Sequence, residues 1–596
     1  MNKLNKTLLV LLTVVIFTGA VQNANAQVVY FNGLGRALVT SESLRGNILA
    51  RDTNSVNGHP KDTTSKRKST DGYTVFDLGV NVQPSEILRA SAILRMKNAF
   101  GGFYGDGSSL VFRQIRLDGI IAKKVKYEIG DIDLELTPYT LFNFNEMYHD
   151  YEADVFAIRR SVVAYENFNF GNKWRMQGFH AQSSFKFNKI IEKIGIRGFA
   201  TRTKKSNYLN SPDRLLFGGR FDILQSKFLQ VGANFVQMSD LPQTAIDTTV
   251  LYKNSVTTFD GKFTYGMDDL EIGILGEFGF SKNSFRTKGI KDTVKGNDYF
   301  YDATLYARYK PLNVKVSVSY REVGYYFSSP SAQTRRIYDY GGPANSLFPN
   351  PVNAPAIGNG SIQAAGIRTP IMLDRMSDET MRNTSIQTSL MNYLPQYNNI
   401  TPYGQATPNR KGMTFAFSGG DADRALRADL IVDNLSEIAS EEATGHLRSF
   451  LGVKGGGALN LHKLLKFEKA ITISGGLRYE KTSRAGVNSV AFTSSIIDMG
   501  LTVEIIKQLD LIGGYKYLEA KGNEYIALRN QFNIINGFYG FTGMNQSQGL
   551  LAYGLRYRFS KNTYFTAQGI SSDNKFVPSN TNYGISQLFL NYTMIF

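Results

Sequence analysis

Gln587-Leu588-Phe589-Leu590-Asn591-Tyr592-Thr593-Met594-Ile595-Phe596 closes the sequence. Leu588, Leu590, Tyr592, Met594 and Phe596 alternate strictly with Gln587, Phe589, Asn591, Thr593 and Ile595. Successive Cβ atoms of a strand point to opposite faces, so a period of two puts the first set on one face. Two settings accommodate such a strand: the last strand of a soluble sheet, or the last strand of a barrel whose outer face meets lipid. The rest of the chain decides between them.

The same alternation recurs along the sequence. Leu551, Tyr553, Leu555, Tyr557 and Phe559 alternate with Ala552, Gly554, Arg556 and Arg558, and Ser560-Lys561-Asn562 makes a tight turn before the next run. Val314, Val316, Val318 and Tyr320 alternate with Lys315, Ser317, Ser319 and Arg321. Ile471, Ile473, Leu477 and Tyr479 alternate with Thr472, Ser474, Arg478 and Glu480, while Leu270, Ile272, Ile274, Phe278 and Phe280 enclose Glu271 and Glu277. Ile132, Leu134 and Leu136 alternate with Asp131, Asp133 and Glu135. Charges recurring on one face of strands about ten residues long fit a barrel wall that is apolar outside and polar inside.

Turn lengths give an independent reading. Outer-membrane-type barrels have short periplasmic turns and longer extracellular loops. Counting back from Phe596, the turns near 560, 507–510, 462–468, 419–421, 310–313, 266–269 and 225–227 fall on the periplasmic side. The long polar connections near 520–548, 482–490, 436–446, 282–298 and 238–256 fall outside, which makes 525–541 a loop or a hairpin rising above the membrane. Between 127 and 189 the strand parity is off by one. The expected fold is all-β, a transmembrane antiparallel up-and-down barrel of about 22 strands, with roughly 18 to 26 as the range. About sixteen of these lie beyond residue 187, and roughly six to eight precede it. Closure leaves no edge and satisfies every backbone group within lipid.

The other end of the chain agrees with export. Lys3 and Lys6 precede an apolar run over 8–17, and Ala24-Asn25-Ala26 offers a small-x-small cleavage site. Residues 1–26 therefore read as a signal peptide and 27–596 as the mature barrel. There is no cysteine, which excludes disulfides, thiolate catalysis, cysteine zinc sites and a lipidated cysteine at the cleavage site. The 33 Tyr, 40 Phe and 56 Gly, against 16 Pro, suit a chain that crosses lipid as strands. The formal charge of +17 would ordinarily suggest nucleic acid, but export argues for lipopolysaccharide or an anionic solute instead.

The signal peptide, the hairpin ladder and the ending Tyr592-Thr593-Met594-Ile595-Phe596 together resemble porin-like outer-membrane barrels of Gram-negative bacteria. The resemblance spans the mature chain. It implies residence in the cell outer membrane, contact with outer-membrane lipid and lipopolysaccharide, and insertion by the barrel assembly machinery, with Tyr592, Met594 and Phe596 as the assembly signal. It implies little about activity, because a barrel is a scaffold for many functions.

Nine of the sixteen prolines fall within 328–410, among them Pro330, Pro343, Pro349, Pro351 and Pro408. Alternation fails there, and Pro cannot donate to a ladder. This Pro/Gly/Asn-rich stretch reads as an extracellular loop insertion. Its aromatic and apolar residues (Tyr338, Tyr340, Phe348, Met372, Leu373, Met391, Tyr393, Tyr397, Tyr403) call for a packing surface. The options are an inward constriction or plug, an outward cap, or a docking surface. A second loop, 51–71, carries Lys61, Lys66, Arg67 and Lys68, either as a solvated charge run or as a contact for lipopolysaccharide phosphates.

The chemistry of enzymes is missing from the pattern. His59, His149, His180, His446 and His462 are scattered without an i, i+4 pair, so no metal or other cofactor is expected. His180 near Ser183 and Ser184, and His149 beside Asp150, do not form a catalytic array at strand spacing. Gly455-Gly456-Gly457 reads as a strand needing close approach. Alternation over 27–40 and 73–82 leaves no room for the N-terminal plug domain of energised transporters. The lumen candidates are Arg308, Lys315, Arg321, Arg478, Lys516, Arg556 and Arg558, with Lys193 and Arg197, set against Glu271, Glu277 and Glu504, with Asp131, Asp133, Glu135 and Glu480. Interleaved signs hydrate or cross-link a wall more than they select an ion. The expectation is a porin-like channel for passive passage of a polar solute, with the 328–410 loop controlling access. The rival is a structural or assembly subunit of a surface or secretion complex, binding a partner through its outer loops.

Overall fold

The structure, a computed structural model, describes residues 28–596 except 47–50, 53–60, 63–67, 101–107, 145–150, 167–175, 188–189, 226–227, 249, 288–293, 335–385, 387, 389, 391–392, 394, 422, 443–444, 530–533 and 578–580. The segment expected to be a signal peptide (1–26), most of the 51–71 loop and the centre of the 328–410 insertion therefore lie outside the described residues, as do His59 and His149.

Twenty-two strands form one sheet in which each pairs antiparallel with its neighbours in sequence. They are β1 (Val28–Gly46), β2 (Lys68–Ser85), β3 (Leu88–Ala99), β4 (Ser108–Ile121), β5 (Val125–Ile132) and β6 (Met176–Lys186). Next come β7 (Lys193–Lys204), β8 (Asp213–Leu224), β9 (Leu229–Leu241), β10 (Val250–Gly266), β11 (Leu270–Thr287), β12 (Val294–Tyr309) and β13 (Val314–Val323). The series ends with β14 (Arg410–Gly419), β15 (Leu426–Ser436), β16 (Ser449–Asn460), β17 (Ile471–Arg484), β18 (Val490–Ile506), β19 (Leu509–Arg529), β20 (Ile535–Ser560), β21 (Thr563–Phe576) and β22 (Thr581–Ile595). Pairing of β22 with β1, from Leu34 opposite Ile595 to Gly46 opposite Tyr583, closes the barrel. Six strands precede residue 187 and sixteen follow it.

The seam is held by contacts between β1, β2 and the last residue described. Gly33 and Phe596 exchange backbone hydrogen bonds of 2.9 and 3.1 Å, and the Phe596 ring stacks on Phe76 at 5.6 Å. A Cβ at Gly33 would lie 2.7 Å from that ring, so glycine is needed for this approach. Tyr592 and Phe596 are exposed on the outer surface, beside residues such as Phe559 and Leu588. Phe589 lies on the opposite face and is fully buried inside the barrel, so it belongs to the interior core.

Alternation sets the two faces. Tyr553 is 61% exposed and Phe278 57%, in a belt of outward Leu, Ile, Phe and Tyr that would be costly in water and is natural against lipid. One end of the barrel carries tight turns. Examples are 310–313, where Asn313 takes the left-handed conformation (φ 48°), and the two-residue turn closed by Gln508 (φ 74°). The other end carries the long connections. They are shorter than alternation suggested, because strands run past the apolar belt: β9 reaches Leu241 and β11 reaches Thr287. Ladder hydrogen bonds need no lipid, so polar residues extend strands as readily as apolar ones. For the 520–548 connection the hairpin alternative holds and the plain loop does not. It is the continuation of β19 and β20 as a paired hairpin, with Glu524 opposite Phe541 and Arg529 opposite Ile535.

The parity fault between 127 and 189 also has a cause. Strand β5 stops at Ile132, and Leu134 and Leu136 do not continue it. They belong to a connection between β5 and β6 that turns into the barrel and carries helix α1 (Asp154–Glu166). Asp133 and Glu135 are thus loop residues and not wall positions.

Candidate functional site in the barrel lumen

The lumen is occupied by two groups of segments, both from the long-loop end. The first, 133–144 and 151–166, was not anticipated as an insertion. Apolar residues at 155, 156, 158 and 162 recur with helical spacing, and this periodicity was the available signal. Val155, Phe156, Ile158 and Val162 are buried against inward residues of β1, β2 and β18 to β22, including Leu34, Leu38, Ile496, Leu518, Leu550 and Phe589. The wall makes room for the helix with glycines. A Cβ on Gly500 would lie 2.0 Å from that of Ala153, and one on Gly514 would lie 2.7 Å from the Phe156 ring. Burying a side chain such as Phe156 contributes about 1.5–3 kcal/mol.

Charged groups fix the helix at both ends. Glu152 receives two bonds from Arg160, at 2.7 and 2.9 Å, and an ion pair from the fully buried Lys516. Burial alone would raise the Glu152 pKa, but Arg160 and Lys516 outweigh it and hold the carboxyl well below its usual range. Asp154 pairs with Arg556 at 2.9 Å, placing an acid in the first turn where the helix dipole favours it. At the other end the Tyr165 hydroxyl donates to Asp77 at 2.5 Å. Asp77 also receives Arg95 at 2.8 Å and Arg113 at 3.0 Å, and the Arg113 guanidinium lies 4.0 Å from the Tyr165 ring centre.

Residues 133–144 lie along the inner wall of β6 to β13. Leu134 and Leu141 join a cluster with Met176, Phe199, Leu216 and Phe285. Tyr139 stacks on Phe300 at 3.9 Å and donates to Asp302 at 2.6 Å, while Thr137 donates to Glu277 at 2.7 Å. Burial, with the Asp302 charge behind it, pushes the Tyr139 hydroxyl well above its ordinary pKa and keeps it a donor.

The second group is formed by the flanks of the 328–410 insertion, whose described residues lie against inward wall residues. Asn399 donates from its backbone to Glu480 and from its side chain to Thr482 and Glu524, each at 2.7 Å. Tyr397 donates to Gln548 at 3.0 Å, and Arg478 donates to the Gln396 carbonyl at 2.9 Å. Ile400 packs on Leu435 and Phe450, and Gly452 leaves space for its tip. Tyr393 and Tyr403 pack with Ile526, and burial pushes the Tyr393 hydroxyl up to about 12. The other six aromatic and apolar positions expected to pack lie outside the described residues. Arg448 is the central cation of this region, reaching Glu437 and Glu441 at 2.6 Å and Glu524 at 3.4 Å. Burial would raise the Glu441 pKa, yet Arg448 and Arg529 hold it below the usual value. The two groups also join each other. Phe142 donates its N–H to Ser331 at 2.9 Å, Phe144 donates to Thr334 at 2.8 Å, and Ser329 donates to the Tyr139 carbonyl at 2.8 Å.

All ten lumen candidates lie on the inward face, as the cross-strand register requires. The structure divides them by role. Lys516, Arg556, Arg478 and Glu277 hold the inserted segments. Arg321 is buried against Thr414 at 2.8 Å, with Asp433 at 3.8 Å. Glu271, Arg308, Lys315, Glu504 and Arg558 lie nearer the short-turn end. There Arg558 bridges Asp510 and Glu504 at 2.9 and 3.0 Å, Arg308 donates to Asn313 at 2.9 Å, and Tyr306 donates to Glu271 at 3.2 Å. Lys315 sits 4.9 Å from the Tyr306 ring centre. His180 and Ser183 take opposite faces of β6, with Ser183 bound to the Lys124 carbonyl at 3.1 Å, so they form no catalytic pair.

No protein-family model matches the chain, and no curated protein matches it. Among solved structures, OccK11 (OpdR) of Pseudomonas aeruginosa aligns over 95% of this chain and 96% of its own, at 8% identity and a TM-score of 0.33. The outer membrane protein opdK of the same organism aligns over 95% and 99%, at 7% identity and 0.33. The outer membrane channel DcaP of Acinetobacter baumannii aligns over 96% and 98%, at 8% identity and 0.25. Likeness this distant adds no argument to the strand pairing itself, and that pairing makes the chain a closed up-and-down β-barrel of 22 antiparallel strands.

Proposed function

We propose that the protein is an outer-membrane channel for passive passage of a small polar solute, with access controlled by the 328–410 insertion. The observation that carries this reading is the docking of the insertion's flanks onto inward wall residues Arg478, Glu480, Thr482 and Gln548. A loop tied to the wall by hydrogen bonds narrows a lumen without sealing it as a continuous apolar core would. Below it, toward the short-turn end, the wall carries interleaved charges that stay hydrated and favour neither sign strongly. The barrel would enter the membrane through the barrel assembly machinery reading Tyr592, Met594 and Phe596, and its long-loop rim would meet lipopolysaccharide.

The test is single-channel conductance in a planar bilayer, comparing the full chain with a variant in which 335–385 is replaced by a short Gly/Ser linker. Conductance that rises in the variant supports a pore controlled by the insertion.

A second reading has its own observation. The inward wall beneath α1 is apolar (Leu34, Leu38, Ile496, Leu518, Leu550, Phe589), which a water-filled passage does not need. This favours a permanently occluded scaffold for a surface or secretion complex. Absence of conductance from both forms would sink the channel and leave the scaffold.

A further inference from the structure

The hairpin of β19 and β20 outruns its neighbours. Pairing of β19 with β18 ends at Asn523 opposite Ala491, and pairing of β20 with β21 ends at Gln546 opposite Phe576. Beyond those points β19 and β20 pair only with each other, from Glu524–Phe541 to Arg529–Ile535. At a strand rise of about 3.3 Å per residue, these six residues of β19 carry the hairpin about 20 Å past its neighbours.

The two edges of this hairpin are treated differently. The β19 edge is covered by the chain itself. Arg448 donates to the Tyr525 carbonyl, Ile526 is buried on Tyr393 and Tyr403, and Arg529 pairs with Glu441 at 2.8 Å. On the β20 edge no such cover is found among the described residues. Its last backbone partner is the Val577 N–H, which donates to the Asn545 carbonyl at 2.9 Å. Among the described residues, no backbone hydrogen bond reaches the outer edge between Ile535 and Met544. That edge spans about 33 Å of strand.

Natural sheets protect such edges with lysine, proline, inward charges or a covering element, because a free row of N–H and C=O groups is a template for another strand. Here the sequence supplies neither charge nor proline. Between Arg529 and Arg556 lie 26 residues without a single charge or proline, in a chain of which 20% is charged. Phe538 is 41% exposed on this hairpin, and Ile534 at its tip 47%.

We propose that the outer edge of β20 between Ile535 and Met544 is a strand-addition site for an extended, uncharged segment of another exported protein. Main-chain hydrogen bonds would supply the affinity, and Phe538 would engage alternate side chains of the added strand. Absence of charge on the edge selects a neutral segment, since a charged one would lose hydration without gaining a partner.

Symmetry argues against a second copy of this chain. Two barrels in one membrane are related by an axis along the membrane normal, so their β20 strands descend in the same sense. Isologous pairing of one edge with itself needs antiparallel strands. Strand β20 runs unbroken for 26 residues from the hairpin into the wall, so it cannot lie flat to meet that need.

The experiment compares amide hydrogen exchange of 535–544 in outer-membrane vesicles from the native host with exchange in the detergent-purified monomer. It is repeated with Phe538→Lys, and again with a photo-crosslinker installed in place of Phe538. Expected are exchange at least about tenfold slower in vesicles than after purification, loss of that difference in Phe538→Lys, and a crosslink to a different protein. Fast exchange in both preparations would show the edge unpartnered. Slow exchange in both would show it covered by its own chain, and a crosslinked adduct of twice the chain's mass would assign it to a second copy. Each of these three overturns the proposal. None depends on whether the barrel conducts.

Discussion

Replacing Lys516 by Met isolates what holds α1 in the lumen. Lys516 is fully buried and projects from β19 onto Glu152, with its ammonium 4.5 Å from the Phe156 ring centre. Met fills a similar volume, so the change removes the cation with little disturbance of packing. Removing one partner of a buried ion pair costs about 3–5 kcal/mol, because the remaining charge stays buried. Arg160 still binds Glu152 through two bonds, which places this case at the low end, about 3 kcal/mol. At 1.4 kcal/mol per decade, the equilibrium between docked and undocked helix shifts about 100-fold. Amide exchange over 155–162 reports that equilibrium directly and should accelerate by the same factor, with the strands unaffected. The double variant Lys516→Met with Glu152→Gln should recover most of the protection, since no carboxylate is then left buried. Unchanged exchange in the single variant, with the barrel intact, would refute the view that this pair anchors the helix.

Further outcomes follow from other contacts. Gly500→Val should push α1 off the wall, because even a Cβ there meets Ala153 at 2.0 Å; a destabilisation of about 1–3 kcal/mol should appear as faster exchange in α1 and, if the lumen conducts, as larger single-channel steps. Arg448→Ala leaves Glu437 and Glu524 buried without their central cation, so the insertion flanks should become protease-sensitive at 395–409, with a cost of about 3–5 kcal/mol. The pH dependence of α1 docking has a definite sign. The Glu152 pKa lies below its ordinary 4.5, so its contribution is fully present above that value and lost only as pH falls through the lowered one; protection of α1 should hold from neutral pH down to pH 5 and weaken only under stronger acid. Phe596→Ala removes the stack on Phe76 and should reduce the heat-modifiable, folded fraction in outer membranes, whereas an equal folded fraction would dissociate the residue from assembly.

The barrel wall was legible in the sequence because its physics is local. A strand facing lipid on one side and water on the other must alternate, and the alternation of Leu551 to Phe559 or Val314 to Tyr320 can be read without knowing any neighbour. Turn parity gave the direction of the strands from β7 onward, and the period of two put the ten lumen charges on the polar face. The strand total of about 22 was an expectation within roughly 18 to 26, because the N-terminal third was not settled by alternation, and the sheet has 22.

What the charges do was not legible. Lys516, Arg556 and Arg478 look alike in sequence to Arg308 and Arg558, yet the first three bind segments more than 80 residues away in the chain, and Arg308 and Arg558 face wall or turn residues near the short-turn end. Helix α1 was missed for the same reason. Its period-3.6 pattern is short, and the surface that makes it stable is the inner wall of seven strands brought together only when β22 meets β1. Inward apolar residues such as Phe589 and Leu518 broke the polar-inside rule wherever a segment lay against them. The sequence by itself determined a closed barrel and which side chains face its axis, because those depend on period and parity. Only the tertiary structure decided which segments enter the lumen and narrow it, because that depends on contacts between residues as much as hundreds of positions apart, and no local period encodes them.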